Sequence, residues 1–273
     1  MKPARHLLAP AALLCALALG GCATTGGTPS PGDPWEGFNR KVFAFNEAVD
    51  GAVLRPVAES YRDNVPKPIR TGVANVLGNV GDLWSAANHF LQGKAGSGLE
   101  MGMRFLTNTL FGLGGLLDPA SEMGLKRQSE DFGQTLGKWG VAPGPYLVLP
   151  LLGPSSLRDG IGRIPDMAAS PSNLLDDSKA SLAVTVVGVV DARAALLGVT
   201  GLADQVSLDK YSFFRQAYLS RRQDAVYDGA APPEAFEDIG DDPPPPAAKP
   251  AKPAKPAAAA PARPASAPKA SPR

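Results

Sequence analysis

Hydrophobic positions recur at helical spacing from about residue 33 to about residue 227. Phe38, Val42, Phe45, Val49 and Val53 fall at steps of four, three, four and four, one stripe of a helix. Asp33 and Pro34 just ahead read as an N-cap and a first-turn proline. A second stripe runs through Val65, Ile69, Val73, Val76/Leu77, Val80, Leu83/Trp84, Ala87 and Phe90/Leu91, and Gly93 closes it. Asn75, Asn79 and Asp82 occupy its opposite face, and Pro66 and Pro68 are tolerable only in its first turn. Such a helix is about 40 Å long, enough to cross a bilayer, but its polar face forbids that role in lipid.

Residues 101–117 break the amphipathic pattern. They read as apolar on nearly every side, with Arg104 the only charge, which suits a buried core or a lipid environment. SEDFGQTLGKWG holds a short helix, and VAPGPYLVLPLLGPSS follows it. Prolines at 143, 145, 150 and 154 exclude a helix or a central strand there, leaving an apolar extended or hairpin segment. SSLRDGIGRI starts another helix, residues 179–197 form a strongly apolar one, and residues 208–227 end the domain. Strand signals are nearly absent, so the expected fold class is all-α.

Both ends of the chain differ from this body. Lys2 and Arg5 precede an apolar run from 7 to 19, too short for a span but suited to a secretory signal. The quartet Leu19-Gly20-Gly21-Cys22 resembles the lipobox of bacterial lipoproteins, which implies cleavage before Cys22 and acylation of its thiol. An ordinary signal peptide with an incidental cysteine is the alternative. Ala23, in place of aspartate, favours outer-membrane sorting by the same resemblance. The expected organisation is a signal at 1–21, a flexible tether at 22–32, a helical domain at 33–227 and a disordered Pro/Ala/Lys-rich tail at 228–273. The tail reads either as a solvated appendage or as a basic arm touching anionic lipid or cell wall.

Charge and residue counts narrow the chemistry. Of the 27 basic residues, two lie in the signal and six in the tail, leaving 19 against 26 acids between 22 and 248, a net charge of −7. An acidic body argues against a nucleic-acid partner. Cys15 leaves with the signal, so Cys22 is the only thiol of the mature chain and no internal disulfide forms. His89 is the only histidine left, and it reads as a satisfied helix residue. No Gly-x-Ser-x-Gly turn is present, and GLGG at 112–115 lacks the spacing of a nucleotide loop. Glu130-Asp131 and Asp176-Asp177 read as acids at helix starts. The expectation is no catalytic residue, no metal and no cofactor beyond the covalent lipid.

Three long stretches then carry a specific resemblance. DPWEGFNRKVFAFNEAVDGAVLRPVAESYRDNVPKPIRTGVANVLGN, RFLTNTLFGLGGLLDPA and FGQTLGKWGVAPGPYLVLPLLGPSSLRD closely resemble the MlaA/VacJ family, over the whole domain from 33 to 227. The resemblance implies a ring of helices in the inner leaflet of the outer membrane, around an amphipathic channel. It implies withdrawal of phospholipids misplaced in the outer leaflet, their delivery to a periplasmic lipid carrier, and association with a trimeric porin. Lipid-path or gate candidates are Phe38, Phe45 and Asn46 of the EGFNRxxFxFN-type signature, Phe105 and Leu113, and Tyr146, Leu147, Leu149 and Pro150. Gly140, Gly144 and Gly153 are gate-hinge candidates, although turn-making alone accounts for them equally. A structural adaptor that scaffolds a porin or cell-wall partner is the alternative function.

Overall fold

In the computed structural model, residues 33–231 are described. The signal, Cys22, the tether and nearly all of the expected tail lie outside the described residues. The elements, in order, are α1 (Glu36–Val49), a π-helical turn (Asp50–Leu54), α2 (Arg55–Asn64), α3 (Lys67–Leu91), α4 (Ala95–Phe111) and the single turn α5 (Pro119–Glu122). They continue with α6 (Phe132–Lys138), β1 (Tyr146–Leu149), β2 (Gly153–Ser156), α7 (Leu157–Ala168), α8 (Ser178–Val206) and α9 (Lys210–Val226). A 3-10 turn, Pro171–Leu174, joins α7 to α8.

Local chemistry sets most of these boundaries. Asp131, Ser156, Asp177 and Asp209 cap α6, α7, α8 and α9, each side chain accepting from an N–H of the first turn. Val65 is extended ahead of Pro66, so α3 begins at Lys67, two residues later than its hydrophobic stripe. Gly93, at φ +77°, ends it. The start of α1 differs from expectation: Trp35 holds the cap position with no side-chain bond. Asp33 is instead fully buried and accepts from the Asn39 amide.

Packing between elements closes a circuit. α1 contacts β1, β2 contacts α9, α9 contacts α6, α6 contacts α3, α3 contacts α8, α8 contacts α2, and α2 returns through the π turn to α1. This is the ring-like helical order that the resemblance implied, with one antiparallel hairpin inserted. In the hairpin, Tyr146 pairs with Ser156 and Leu149 with Gly153.

The interior is the unexpected part. Arg104, Tyr146, Met101, His89, Val148, Asn39 and Asn88 are the largest fully buried side chains. Meanwhile Leu110, Phe111 and Leu113 are 70%, 75% and 73% exposed. Residues 101–117 are therefore not apolar all round. The helix stops at Phe111, and its buried face carries Arg104, Thr107 and Asn108 while Leu99, Met103, Leu106 and Leu110 face out. α3 is inverted in the same sense. Its polar face, with Asn79, Asp82, Ser85, Asn88 and His89, is buried, and Ile69, Leu83 and Phe90 are exposed. A large apolar exterior over a polar interior reverses the usual water-soluble arrangement.

Candidate functional site

The buried polar groups form connected clusters. Arg104 donates to Asp82 at 3.3 Å and to both Asp118 carboxylate oxygens at 3.0 and 3.1 Å, and it also reaches the Leu125 carbonyl. Arg127 approaches the other side of Asp82 at 2.8 Å. Asn108 donates to Asp118 at 2.8 Å and accepts from the Ala120 N–H at 3.0 Å. Burial alone pushes the Asp118 carboxyl up, but bonds from Ser121, Asn108 and Arg104 outweigh it and hold it at about 2. One arginine thus ties α3, α4 and the residue 112–128 segment together.

A second seam runs between the first helices and α8. Arg193 grips Asp50 with two bonds of 2.6 and 2.8 Å. Tyr61 donates to Asp191 at 3.0 Å, Arg55 reaches Asp204 at 3.1 Å, and Lys210 pairs with Asp204 at 2.6 Å. Asp50 opens the π turn, a widened turn often found where a helix is adapted to a function. In α8, Asp191 and Arg193 interrupt an otherwise apolar stretch, and both turn to partners within the protein. Its Leu182, Val186, Val189, Leu196, Val199 and Leu202 stay exposed. By length and composition, Ser178–Gln205 is the one helix among the described residues suited to crossing a membrane.

The hairpin is held by two asparagines seven residues apart on α1. Asn39 accepts from the Val148 N–H at 2.9 Å and donates to the Tyr146 carbonyl at 3.0 Å, standing in for a neighbouring strand. Asn46 does the same at the turn, donating to the Leu149 carbonyl at 3.0 Å and accepting from the Leu151 N–H at 2.8 Å. Leu151 needs that support, since its φ of +62° is costly for a branched side chain. Tyr146 and Val148 are buried against Val42, Phe43, Tyr211, Tyr218 and Leu219, while Leu147 and Leu149 are half-buried and Pro150 is exposed.

The candidates named from sequence are spread over several places. Phe38 and Phe105 are half-buried, Phe45 is 51% exposed, and Leu113 sits at φ +55° in the loop after α4. Asn46, Leu149 and the hairpin turn are brought together. Gly140, Gly144 and Gly153 all have positive φ, the conformation a turn demands, and Gly153 is paired within the ladder. Reading the sequence alone missed Asn39, Arg104, Asp82 and Arg193 as organising groups. Asn39 shares a helix face with Asn46, and that repeat was the available signal. His89 is buried with Nε2 at 3.1 Å from the Gln128 carbonyl, while Nδ1 has no partner among the described residues, so it is only half satisfied. Among the described residues no group of three or more His, Cys, Asp or Glu side chains is arranged to hold a metal.

Known proteins resemble this chain in sequence and fold. A family model described as MlaA lipoprotein matches residues 31–225. The Escherichia coli intermembrane phospholipid transport system lipoprotein MlaA is 40% identical over 235 residues, covering 81% of this chain and 91% of that protein. The Haemophilus influenzae protein of the same name is 37% identical over 239 residues, covering 85% and 94%. A solved structure, described as the structural basis for maintenance of bacterial outer membrane lipid asymmetry, is 39% identical with a TM-score of 0.64, over 71% of this chain and 98% of that one. With most of its length matched in this way, the chain belongs to the MlaA lipoprotein family.

Proposed function

We propose that this protein is the lipoprotein of an intermembrane phospholipid transport system and maintains outer-membrane lipid asymmetry, as its relatives are named to do. It removes mislocalised phospholipids from the outer leaflet and passes them to a periplasmic carrier, acting without covalent chemistry. Acylated Cys22 anchors it to the periplasmic face of the outer membrane, and a trimeric porin is its neighbour there. The observation that carries this reading is the inverted burial on α4, where Arg104 is fully buried and Phe111 is 75% exposed. An amphipathic lipid needs both environments, polar groups for its head and apolar surface for its chains. Hydrocarbon outside the helices removes the cost of their exposed leucines, while ion pairs inside hold buried charges such as Arg104, Asp82 and Asp159.

Deletion of the gene tests the function directly. Phospholipid in the outer leaflet, measured by labelling of intact cells, is expected to rise, and a plasmid copy restores it. Purified protein is expected to carry phospholipid detectable by mass spectrometry. An unchanged outer leaflet together with lipid-free protein overturns the reading. Removal of residues 228–273 separates transfer from scaffolding, since a transfer protein keeps most of its activity without them and an adaptor does not.

A further inference from the structure

The start of α3, the end of α4 and the segment through α5 enclose a cleft of about 470 Å³. None of the lipid-path, gate or hinge candidates named from the sequence lines it. Its apolar wall is Phe111, Leu116 and Leu117, and Asn75 adds a polar edge. Lys67 and Glu122 also line it, and neither side chain has an ion pair or hydrogen bond among the described residues, with each other or with any third group. Asp118, the other acid on the wall, is already engaged by Arg104 and Asn108.

The wall is fixed in place. Asn75 donates to the Leu116 carbonyl at 3.1 Å, the Leu117 N–H bonds the Gly112 carbonyl at 2.9 Å, and the Gly115 N–H bonds Asn108 at 2.9 Å. Gly72 makes room for Leu116, because a Cβ there would stand 2.6 Å from its Cδ1. Two opposite charges left unpaired on one preformed apolar cleft suit a ligand that is itself zwitterionic and greasy. Lys67 also stands at the first turn of the 25-residue α3, whose positive dipole end favours an anion.

We propose that this cleft is a headgroup subsite for a zwitterionic phospholipid. Lys67 takes the phosphate, Glu122 takes the ammonium, and the first methylenes of the acyl chains lie on Phe111, Leu116 and Leu117. The inference rests on the phospholipid-transport reading and adds to it a place and a headgroup preference.

The test uses the full-length acylated protein in nanodiscs containing phosphatidylethanolamine and phosphatidylglycerol, with a photoreactive residue at position 117. Adducts are identified by mass spectrometry, and circular dichroism checks that each variant is folded. Lys67→Gln is expected to lower adducts of both lipids about fivefold, the scale of one ion pair at an open site. Glu122→Gln is expected to lower phosphatidylethanolamine adducts and to leave those of phosphatidylglycerol unchanged. Lipid adducts indifferent to both substitutions, or a loss that does not distinguish the two lipids in Glu122→Gln, overturn the subsite while leaving the transport reading intact. Absence of lipid adducts at 117 in protein that still co-purifies with phospholipid also overturns the subsite alone. Absence of phospholipid from the protein altogether overturns the transport reading instead.

Discussion

Asn46 holds Leu151 in a left-handed conformation, accepting its N–H at 2.8 Å while donating to Leu149 two residues earlier. The side-chain amide closes the hairpin tip on α1 from outside the ladder. Asn46→Ala leaves that N–H and the Leu149 carbonyl to find other partners and removes what offsets the cost of a positive φ. A loss of about 1–3 kcal/mol is expected, combining two modest hydrogen bonds with a strained residue. The effect is expected to be local. Hydrogen exchange of residues 147–153 is expected to accelerate while α3 and α4 stay protected; uniform acceleration across the domain would show that the hairpin and ring open as one unit.

Arg104 and Asp82 make the strongest stability prediction. Arg104→Ala leaves Asp82, 1% exposed, with Arg127 alone and removes the bidentate partner of Asp118. Breaking a buried pair from one side costs about 3–5 kcal/mol. The midpoint of thermal unfolding in detergent is expected to fall accordingly. Arg104→Lys is expected to recover only part of the loss, because an ammonium cannot make the fork that spans both Asp118 oxygens. Full recovery by lysine would show that charge alone, without geometry, ties the segment down.

These two sites show what the sequence revealed and what it concealed. The helix periods are written in the spacing of Val and Leu, and capping acids at 131 and 177 mark helix starts where expected. The capping role expected of Asp33 failed because a carboxylate can serve a distant asparagine and tyrosine as well as a neighbouring N–H. The larger gap concerned direction. A stripe says which residues share a face, and the assumption that the apolar face points inward holds only when the solvent is water. Asn75, Asn79 and Asp82 were visible as a polar face, but only the three-dimensional pairing turns Asn79 and Asp82 inward. Arg104 looked like an exception in a greasy segment, because its partners at 82, 118 and 125 lie on other elements.

Acid sensitivity follows from the cluster joining α6, α7 and α9. Arg222 bonds Asp159 at 2.9 Å and both oxygens of Asp131 at 2.5 and 2.6 Å. Burial pushes the Asp159 carboxyl up, but Arg222, Tyr218 and Arg158 outweigh it and hold it at about 2, below its ordinary 3.8. Asp131 is lowered for the same reasons, burial opposing and Arg222 prevailing. The folded state therefore binds fewer protons than the unfolded one in this range. Stability is complete above about pH 4 and falls as pH drops through about 2, with Asp159 contributing about 2 kcal/mol. Unfolding midpoints measured from pH 6 to pH 2 are expected to decline mainly below 4. Arg222→Met is expected to be less stable at neutral pH and to show a much shallower decline; an equal slope in that variant would place the acid-sensitive groups elsewhere.

The outward face of α8 offers a test of what surrounds it. Val189 is 49% exposed and Leu196 50%, on the helix that the Arg193–Asp50 seam fastens inward. If water bathed this face, lysine at either position would change stability by no more than about 0.5 kcal/mol, the usual size of a surface substitution. In hydrocarbon the same change costs about 2.5–3.5 kcal/mol near mid-bilayer and less near the interface, where a long side chain can snorkel. Val189→Lys and Leu196→Lys are therefore expected to lower stability in nanodiscs and to weaken retention in membranes when Cys22 is also replaced. Threonine at position 189 serves as the β-branched polar control and is expected to have a much smaller effect. Equal stability of the lysine variants and the parent in a bilayer would mean that α8 faces water or another protein, and its apolar exterior would then require a polypeptide partner instead of lipid.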